Sequence, residues 1–562
     1  MSFFKNRNTN YNNNNSNTKN NVVEMPKNIN TYLGQKGYTI LKTDLAVSQQ
    51  QYIKEQLLIK PCTPGAPVAI DKSFPAYRES DKKLYLPRYF GEQHFGVAKE
   101  SKISEGTDIS LEFQGTLRRE QEPVVKAYLD KVLSASDKSG NDKSGNDKSS
   151  SSGVEGGGGL LELPCGFGKT SISLYILSRL KKKTLVIVHK EFLMNQWIER
   201  IQQFLPNAKI GKIQGQIIDI EGKDIVLGML QSLSMKDYPA SMFDSFGLTV
   251  IDEVHHISSE VFSCALFKLV TKYMLGLSAT MERSDGTTRV FKMFLGDVVY
   301  KQERSKDEEV IVRGITYQTN DDEFNELELD FRGKPASSKM LSKICNYNRR
   351  SEFILKVLDD MIKEDPKQQI MIIASYRNIL NYFYEAINFK QIATVGFYVG
   401  GMKESALKQT EQKQVVLATY SMAAEGLDIK TLTTLLMATP MTKIEQSVGR
   451  ILRQKHENPP IVVDIIDSHS NFQNQWAKRK RFFKAQNYKI IQTTSSTYTT
   501  DISKWKTTFI PSLNKPVTNT NTNTNTNTNI ITDLDSGSDS ELELEDEVDS
   551  KVKHVCLLKI KK

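Results

Sequence analysis

The stretch Leu160–Thr170, which reads LLELPCGFGKT, constrains the fold of this chain more than any other. Its first half is a short apolar run of the kind that forms a buried strand. The sequence GFGKT follows, and then SISLYILSRL, whose apolar residues recur at helical spacing. A strand, a glycine-rich loop and a helix in this order predict a phosphate-binding loop.

The residue types of this loop suit a bound anion. Glycines let backbone N–H groups close around phosphates, and the helix N-terminus adds its dipole. The usual pattern has a glycine where this chain has Leu163, so the loop is a shortened form, and a chance match is the alternative. We interpret Cys165 as a packing residue rather than a nucleophile. The residues expected to contact a nucleotide are Leu163, Pro164, Cys165, Gly166, Phe167, Gly168, Lys169 and Thr170, with Lys169 on the β/γ-phosphates and Thr170 also a Mg²⁺ ligand.

Short β-branched runs alternate with helical stretches from Leu160 onwards, and a second such series starts near Asn346. This alternation predicts an α/β fold in which helices cover both faces of a parallel sheet. We therefore expect two tandem parallel-sheet domains, at 105–300 and 346–490, joined by a polar linker at 301–345.

The remaining segments differ in composition. Residues 1–30 are Asn-rich and 491–562 are of low complexity and acidic, so we expect disordered tails. Residues 31–104 predict a small accessory α+β domain with few helices, in which LYLPRYF is a hairpin strand and Pro87 marks a sheet edge. Residues 134–159 repeat DKSGN and predict a flexible insertion. We interpret the glycine run 156–159 as the end of that linker.

Charge and cysteine content narrow the class of protein. The net charge is +9, although 533–549 holds nine acidic residues and no Lys or Arg, so a basic body precedes an acidic tail. This balance suits a polyanionic partner. The five cysteines have no spacing typical of zinc sites or disulfide frameworks. With neither a secretory signal nor an apolar run long enough for a membrane, we expect an intracellular, non-secreted protein.

An acidic pair, Asp252 and Glu253, follows the apolar run LTVI and is followed by two histidines. Ligands of open α/β sheets bind at the carboxyl ends of strands. Asp252 would hold Mg²⁺, directly or through water, and Glu253 would act as general base on an attacking water. The alternative is a zinc site with His255 and His256, but the spacing is not that of H-E-x-x-H.

Two further patterns indicate a function once a nucleotide site is predicted in the first domain. Ser278 and Thr280 follow the strand-like run MLGL, and their hydroxyls could link a nucleotide site to a ligand across the domain. Gln446, Arg450 and Arg453 fall on one face of a predicted helix. The arginines are either solvated or paired with an anion, and the γ-phosphate of a nucleotide held by the first domain is the sharper interpretation.

Six motifs in this order resemble a superfamily 2 helicase of the DExH kind: LRREQ, PCGFGKT, DEVHH, SAT, ATYSMAAEGLDI and QSVGRILRQ. More narrowly, LYLPRYFG, the R-x-D-G after SAT, and YVGGMK are similar to the poxvirus-type transcript-release helicases of large eukaryotic DNA viruses. Those resemble the repair helicase of the general transcription factor and a phage recombination helicase. The resemblance implies that both parallel-sheet domains are RecA-like and that ATP binds between them.

The resemblance also implies residue roles. Gln121 would read adenine, with Phe113 as a stacking partner. His255, Ser278 and Thr280 would couple hydrolysis to nucleic acid. Gly426 and Asp428 would contact the nucleotide and the nucleic-acid backbone. Gln446, Arg450 and Arg453 would complete the ATP site, with the two arginines as arginine fingers. Glu120 stands where the family has an aromatic residue before the Gln, and Met281 where it has Pro.

These patterns predict an ATP-dependent helicase or translocase that uses ATP and Mg²⁺, works as a monomer and acts on nucleic acid, DNA rather than RNA, in transcription, repair or recombination. The alternatives are an RNA helicase, a duplex translocase without strand separation, and a scaffold with an inactive ATPase. The acidic tail is either solvated or a contact for transcription or repair machinery. The basic stretch Trp476–Lys484 either contacts a nucleic-acid strand or forms the solvated face of a helix. If the chain is viral, its place is the virus factory or the virion.

Overall fold

The computed structural model describes residues 23–27, 29–61, 73–133, 156–257, 260–283, 285–303, 309–426, 429–454 and 456–511. The predicted acidic tail after residue 511, most of the Asn-rich N-terminus and the insertion at 134–155 lie outside this part. Within it, the chain forms one small sheet domain and two larger α/β domains. None of the helices in these ranges combines the length and the apolar composition that a membrane crossing demands.

The N-terminal domain is an α+β unit built on a five-stranded sheet in the order β5-β6-β2-β1-β7. Its elements are β1 (Thr31–Gly34), β2 (Gly37–Leu41), α1 (Val47–Gln56), β3 (Leu58–Ile59), β4 (Phe74–Pro75), β5 (Arg78–Glu79), β6 (Lys83–Leu86), α2 (Arg88–Phe95) and β7 (Glu100–Ser101). One face of the sheet packs into a hydrophobic core that continues into the next domain, where Leu160, Phe267 and Phe294 belong to the same cluster. The N-terminal domain is therefore fixed to the first α/β domain by a shared core.

The first α/β domain has an eight-stranded sheet in the order β11-β10-β12-β9-β13-β14-β8-β15, parallel except for β11. Its elements are α3 (Glu122–Leu133), β8 (Gly157–Glu162), α4 (Lys169–Leu180), β9 (Thr184–Val188), α5 (Glu191–Phe204), β10 (Ile210–Gln214), β11 (Ile217–Ile218), β12 (Ile225–Met229), α6 (Leu230–Met235), β13 (Leu248–Ile251), α7 (Glu260–Leu266), β14 (Tyr273–Ser278), α8 (Thr288–Leu295) and β15 (Val298–Lys301). Separate apolar clusters cover its two faces, as a doubly covered parallel sheet requires.

The second α/β domain repeats this architecture with the strand order β18-β19-β17-β20-β21-β16-β22-β23, parallel except for β23. Its elements are β16 (Ile311–Tyr317), α9 (Asp322–Asn325), α10 (Ser337–Asn346), α11 (Asn348–Glu364), β17 (Gln369–Ala374), α12 (Arg377–Lys390), β18 (Val395–Tyr398), α13 (Glu404–Thr410), β19 (Val415–Thr419), β20 (Leu432–Met437), α14 (Glu445–Val448), β21 (Ile461–Asp467), α15 (Ser470–Ala485), β22 (Lys489–Thr494) and β23 (Lys506–Phe509). The predicted tandem α/β fold is thus confirmed.

The limits of the second domain differ from those expected. β16 lies inside the segment interpreted as a linker, yet it occupies the sheet between β21 and β22. Its polar residue Arg313 is buried because the guanidinium makes two hydrogen bonds, of 2.7 and 2.6 Å, to Glu364. β22 and β23 likewise extend the sheet past residue 490, so the predicted boundaries at 345 and 490 are wrong.

The glycine run also has a different place from the one predicted. Gly157, Gly158 and Gly159 are buried in β8. A Cβ on Gly158 would lie 2.7 Å from the carbonyl oxygen of Leu295, and one on Gly159 would lie 2.2 Å from a methyl group of Val299. Gly158 and Gly159 have no room for a side chain, because the segment that holds Leu295 and Val299 passes close to them. The glycine run is therefore the start of the strand that carries the phosphate loop, not the end of a linker.

Pro87 does not mark a sheet edge. The run LYLPRYF divides into β6, an inner strand of its sheet, and α2, and Pro87 is the residue that precedes the helix. Proline suits this position because it has no N–H to leave unpaired at the start of a helix. The accessory domain is therefore more helical than its sequence indicated.

Candidate nucleotide-binding site

The predicted phosphate loop joins β8 to α4 at the carboxyl edge of the first sheet. Its start is fixed because the Leu163 N–H donates to the carbonyl of Ser278, 2.9 Å away, at the end of β14. Gly166 and Gly168 have φ angles of 82° and 93°, which non-glycine residues rarely adopt. Gly168 precedes α4, whose first residue is Lys169. The loop thus faces an incoming anion with the unpaired N–H groups of a helix N-terminus.

Gln121, predicted to read adenine, supports the loop from behind. Its side-chain amide donates to the carbonyl of Phe167 at 2.8 Å, and its oxygen accepts from the Arg118 N–H at 2.9 Å. The Arg118 guanidinium also donates to the Phe167 carbonyl and lies over the Phe167 ring. A Cβ on Gly168 would lie 2.4 Å from the Gln121 amide nitrogen, so this packing is a second reason for glycine there.

Phe113 is not placed as a free stacking partner for a base. Its ring stacks on Phe204 with a centroid distance of 5.1 Å and meets Tyr175 edge-on at 5.3 Å. The ring belongs to the apolar cluster between α4, α5 and the sheet. The aromatic signal at Phe113 therefore reflects packing of the first domain.

The acidic pair directly follows β13, on the same edge of the sheet as the loop. Glu253 has a φ of 50°, a strained value for a residue with a side chain. Asp252 accepts hydrogen bonds from the Trp197 indole N–H at 2.9 Å and from the Glu253 N–H at 3.0 Å. The sharp turn after Ile251 is what directs both carboxylates towards the loop.

Lys169 and Glu253 form a partly buried ion pair of 2.7 Å. Although burial raises it, the pKa of Glu253 is lowered to about 2, because the Lys169 ammonium and the two histidines lie close by. Burial lowers the pKa of Lys169, but Glu253, Cys165 and Asp252 together outweigh this effect, and the net shift of the pKa is upward. Burial and the neighbouring Glu253 raise the pKa of Asp252. A phosphate that binds Lys169 must therefore compete with the Glu253 carboxylate.

Of the residues predicted to couple hydrolysis to nucleic acid, His255 and Ser278 contact each other, whereas the Thr280 side chain does not join them. His255 Nδ1 lies 3.1 Å from the Ser278 hydroxyl and 3.5 Å from Glu253 Oε2, so it connects β14 to the acidic pair. The Ser278 hydroxyl donates to the Thr280 carbonyl at 2.6 Å, and the Thr280 side chain is exposed. Arg283 donates to the His255 carbonyl and is held by Asp285. Of the two hydroxyls, only that of Ser278 reaches the site.

Gln446, Arg450 and Arg453 of the second domain do not share one continuous helix, although the sequence predicted one. Gln446 lies in α14, which gives way to a 3₁₀ turn at Gly449–Leu452, so no single helix carries all three residues. The buried Arg450 donates to the carbonyls of Ala423 and Ala424 in its own domain. Arg453 instead lies against the phosphate loop, with its Cα 3.9 Å from where a Cβ on Gly166 would be. Gly426 ends a π-helical turn, and Asp428 lies outside the described residues.

The two α/β domains meet along α5 and α13. Asn195 donates to Glu404 at 2.9 Å, Lys408 pairs with Glu199 at 2.7 Å, and Phe192 packs against apolar clusters of both domains. Together with Arg453, these contacts place the phosphate loop in the cleft between the domains. The arrangement joins an anion cradle, a carboxylate pair and an arginine from the opposite side.

The basic stretch Trp476–Lys484 is only half exposed. In α15, Trp476 and Phe483 are buried in the core. Arg479 is buried as well, in a bidentate ion pair with Asp464 of 2.6 and 2.9 Å. Trp476 and Phe483 therefore hold the helix to the sheet, whereas Phe482 is only half-buried.

The oxygen atoms near the loop suit a Mg²⁺ ion. Thr170 offers a hydroxyl, Asp252 a carboxylate, and Glu253 Oε2 is buried and accepts no hydrogen bond within the described ranges. Mg²⁺ prefers hard oxygen ligands of this kind. Among those residues, no group of three or more histidine, cysteine, aspartate or glutamate side chains is placed to hold a metal ion by itself.

Sequence reasoning missed several residues that shape this site. Trp197 lies on an amphipathic helix, where nothing distinguishes it from an ordinary core residue. His189, at the end of β9, stacks on His256 with ring centroids 3.9 Å apart. Arg118 was visible in LRREQ, but only the fold shows that it holds the loop. Each of these residues lies far along the chain from the groups it contacts. Its role could therefore have been found only by comparison with related sequences.

The chain is similar in sequence to several known proteins. The family described as type III restriction enzyme, res subunit matches residues 114–283. A protein of Acanthamoeba polyphaga mimivirus named "Putative ATP-dependent RNA helicase" is 34% identical over 83% of this chain and 87% of its own length. A protein of the same name from African swine fever virus is 29% identical over 60% of this chain and 70% of its own. A "DNA 3'-5' translocase" of Sulfurisphaera tokodaii is 25% identical over 55% of this chain and 77% of its own.

The two RecA-like domains and the loop in their cleft define the class, an ATP-hydrolysing motor domain pair. The chain belongs to the superfamily 2 helicases that large DNA viruses encode. It is accordingly an ATP-dependent helicase.

Proposed function

We propose that this helicase couples ATP hydrolysis to movement along DNA, in transcription, repair or recombination. One observation carries the proposal: the phosphate loop and the Asp252–Glu253 pair of one domain face Arg453 of the other across a single cleft. Arginine supplied from the far side of a nucleotide makes hydrolysis depend on domain closure. Repeated closing and opening is what a translocase needs.

The ion pair between Lys169 and Glu253 suggests how hydrolysis is timed. While paired with Lys169, Glu253 is a weak base, because its pKa is held at about 2. The nucleotide's phosphates would take over Lys169 and free Glu253, whose pKa then rises towards a value useful for accepting a proton from water. A Mg²⁺ ion held by Thr170 and Asp252 would neutralise phosphate charge. Arg453, and Arg450 if closure releases it from its carbonyls, would stabilise the transferred phosphoryl group.

Substitution at the two paired residues tests the site. Lys169→Ala and Glu253→Gln should each reduce ATP turnover to background, since one removes phosphate binding and the other the general base. The measurement is steady-state ATP hydrolysis with saturating nucleic acid. Lys181→Ala, at the far end of α4, is the matched control and should keep full turnover. Activity that persists in either site variant would refute the site.

The choice of nucleic acid is tested by ATPase stimulation with single- and double-stranded DNA and RNA of one sequence. We expect DNA to give the larger stimulation, in line with the translocase name of the Sulfurisphaera relative. RNA is the second candidate, because the mimivirus and African swine fever virus relatives bear RNA helicase names. Stimulation by RNA alone would favour it. Displacement of a labelled strand then separates a helicase from a duplex translocase.

A further inference from the structure

Three lysines come together where α15 crosses the edge of the second sheet. Lys480 and Lys484 lie one turn apart on the helix, and Lys506 is on β23, opposite Gln492 of β22. Lys480 donates to the Gln492 side chain at 2.9 Å, and Lys484 lies over the Phe509 ring at 5.9 Å. These three residues are called the lysine cluster below.

The lysine cluster carries three positive charges that no acid in the described part of the chain neutralises by an ion pair. No Asp or Glu of the described ranges forms an ion pair with Lys480, Lys484 or Lys506. Burial lowers the pKa of Lys480, and the nearby Lys484 and Lys506 lower it further. Three cations that repel one another on a rigid helix and strand form a surface that an anion would stabilise.

The acidic segment 533–549 begins close to this surface along the chain. β23 ends at Phe509, beside Lys484, and 21 residues separate Pro511 from Asp533. Fully extended, such a spacer spans at most about 75 Å, so the whole second domain is within its reach. The spacer carries a single charged residue, Lys515. A tethered anion of this length acts at an effective concentration in the millimolar range.

We propose that the acidic segment 533–549 of the same chain docks on the lysine cluster and competes there with nucleic acid. Nine carboxylates over 17 residues have the charge density of a short polyanion, and the cluster is a site of complementary charge beside the point from which the segment departs. Docking weakens non-sequence-specific binding of nucleic acid and thereby sets a threshold for stimulation of ATP hydrolysis. The competition rests on the proposed function, whereas the docking does not.

The docking is tested on the full chain by zero-length carbodiimide cross-linking, which joins lysine amines to carboxylates in contact. At low protein concentration and 50 mM salt, we expect amide links between 533–549 and the cluster, identified by mass spectrometry and lost at 500 mM salt because screening removes the attraction. The triple variant Lys480→Gln, Lys484→Gln, Lys506→Gln should abolish them. The matched control replaces three exposed lysines elsewhere in the domain, Lys339, Lys356 and Lys363, with Gln. Links spread over the surface, or only between chains, would overturn the proposal.

The competition is tested by a double-variant cycle that uses nucleic-acid affinity as readout. Replacing the nine acids with Asn or Gln should lower the Kd at 50 mM salt at least about threefold, and this gain should vanish in the cluster variant. An equal gain with and without the cluster would show a general charge effect and contradict docking. Nucleic acid could protect the lysine cluster from chemical modification while segment 533–549 forms no carbodiimide cross-links to it. In that case the cluster is a nucleic-acid contact and the proposal is wrong. Both readouts remain valid even if ATP hydrolysis proves insensitive to nucleic acid.

Discussion

At the scale of single residues, side chains outside the phosphate loop and the DEVHH run hold the Asp252–Glu253 pair and the neighbouring His255 in place. Trp197 holds one oxygen of Asp252 by a 2.9 Å hydrogen bond, and Arg283 and Asp285 hold the backbone of His255. Positions of this kind should affect metal use and stability more than ATP binding.

Trp197→Phe removes the hydrogen bond to Asp252 while keeping most of the buried ring. We expect the Mg²⁺ concentration for half-maximal ATP turnover to rise about tenfold, the lower range seen when a residue that orients a metal ligand is lost. Magnesium titration of ATP hydrolysis measures this. Trp505→Phe, which removes an indole hydrogen bond to Thr499 far from the cleft, is the control. Equal magnesium requirements in both variants would show that Trp197 only fills space.

Asp285 should give the chain a measurable pH dependence. Burial alone would raise the pKa of Asp285, but hydrogen bonds from Arg283 and Thr287 lower it to about 2. Because the folded value lies below the ordinary value near 4, the stabilisation is complete above pH ~4 and is lost as the pH falls towards 2. We expect roughly 1–2 kcal/mol after allowance for solvent screening.

The measurement compares the thermal midpoints of the wild type and Asp285→Asn. The wild type should be more stable by a few degrees at pH 6, and the difference should shrink at pH 3. The exposed Asp81→Asn serves as control for the loss of one charge. A difference that stays constant with pH would contradict the origin assigned to the shift.

At the scale of elements, β8 shows what packing requires of a strand. Its glycines allow Leu295, Met274 and Tyr89 to approach, and the Tyr89 hydroxyl bonds to both backbone groups of Gly158. This strand leads into the phosphate loop, and through Tyr89 it is also a contact between the N-terminal domain and the first α/β domain. A change at β8 should therefore propagate to the loop.

Gly158→Ala should destabilise the first domain by about 2 kcal/mol or more, because the new methyl group meets backbone carbonyls that cannot rotate away. Thermal unfolding measures the loss. Gly314→Ala, in β16 of the second domain, is the matched control, since its Cβ would meet only side-chain ends at 3.2–3.3 Å. A Gly158→Ala protein as stable as this control would mean that β8 can shift.

Elements with local signals could be predicted from the sequence, and those fixed by distant contacts could not. The order of strands and helices from Leu160 onwards follows from apolar periodicity, and the phosphate loop from its glycines. The sequence of β16 resembles a linker, because the acid that neutralises Arg313 is 51 residues away, at Glu364. The β8 glycines also resemble a linker, because the contacts that require glycine there come from Leu295 and Val299, far along the chain. In the site, the motifs point to Gln121 and Phe113, but the sequence does not show which residues these two contact in the fold.

At the scale of the whole molecule, the three domains are joined unequally. The N-terminal domain shares a continuous core with the first α/β domain. The two α/β domains touch through polar pairs such as Lys408–Glu199, whose side chains are both half exposed. Exposed pairs of this kind contribute little to stability, so they allow the cleft to open and close. This unequal coupling is what a two-domain motor requires.

The central claim is that ATP hydrolysis requires groups from both sides of the cleft. Its most direct test is the turnover number of Arg453→Ala with saturating ATP and nucleic acid, with Arg179→Ala, an exposed arginine at the end of α4, as control. We predict a loss of about a thousandfold in kcat for Arg453→Ala, the size expected of an arginine finger, and none for the control. Turnover by Arg453→Ala within about twofold of the wild type would contradict the claim, because the first domain would then hydrolyse ATP without this arginine of the second.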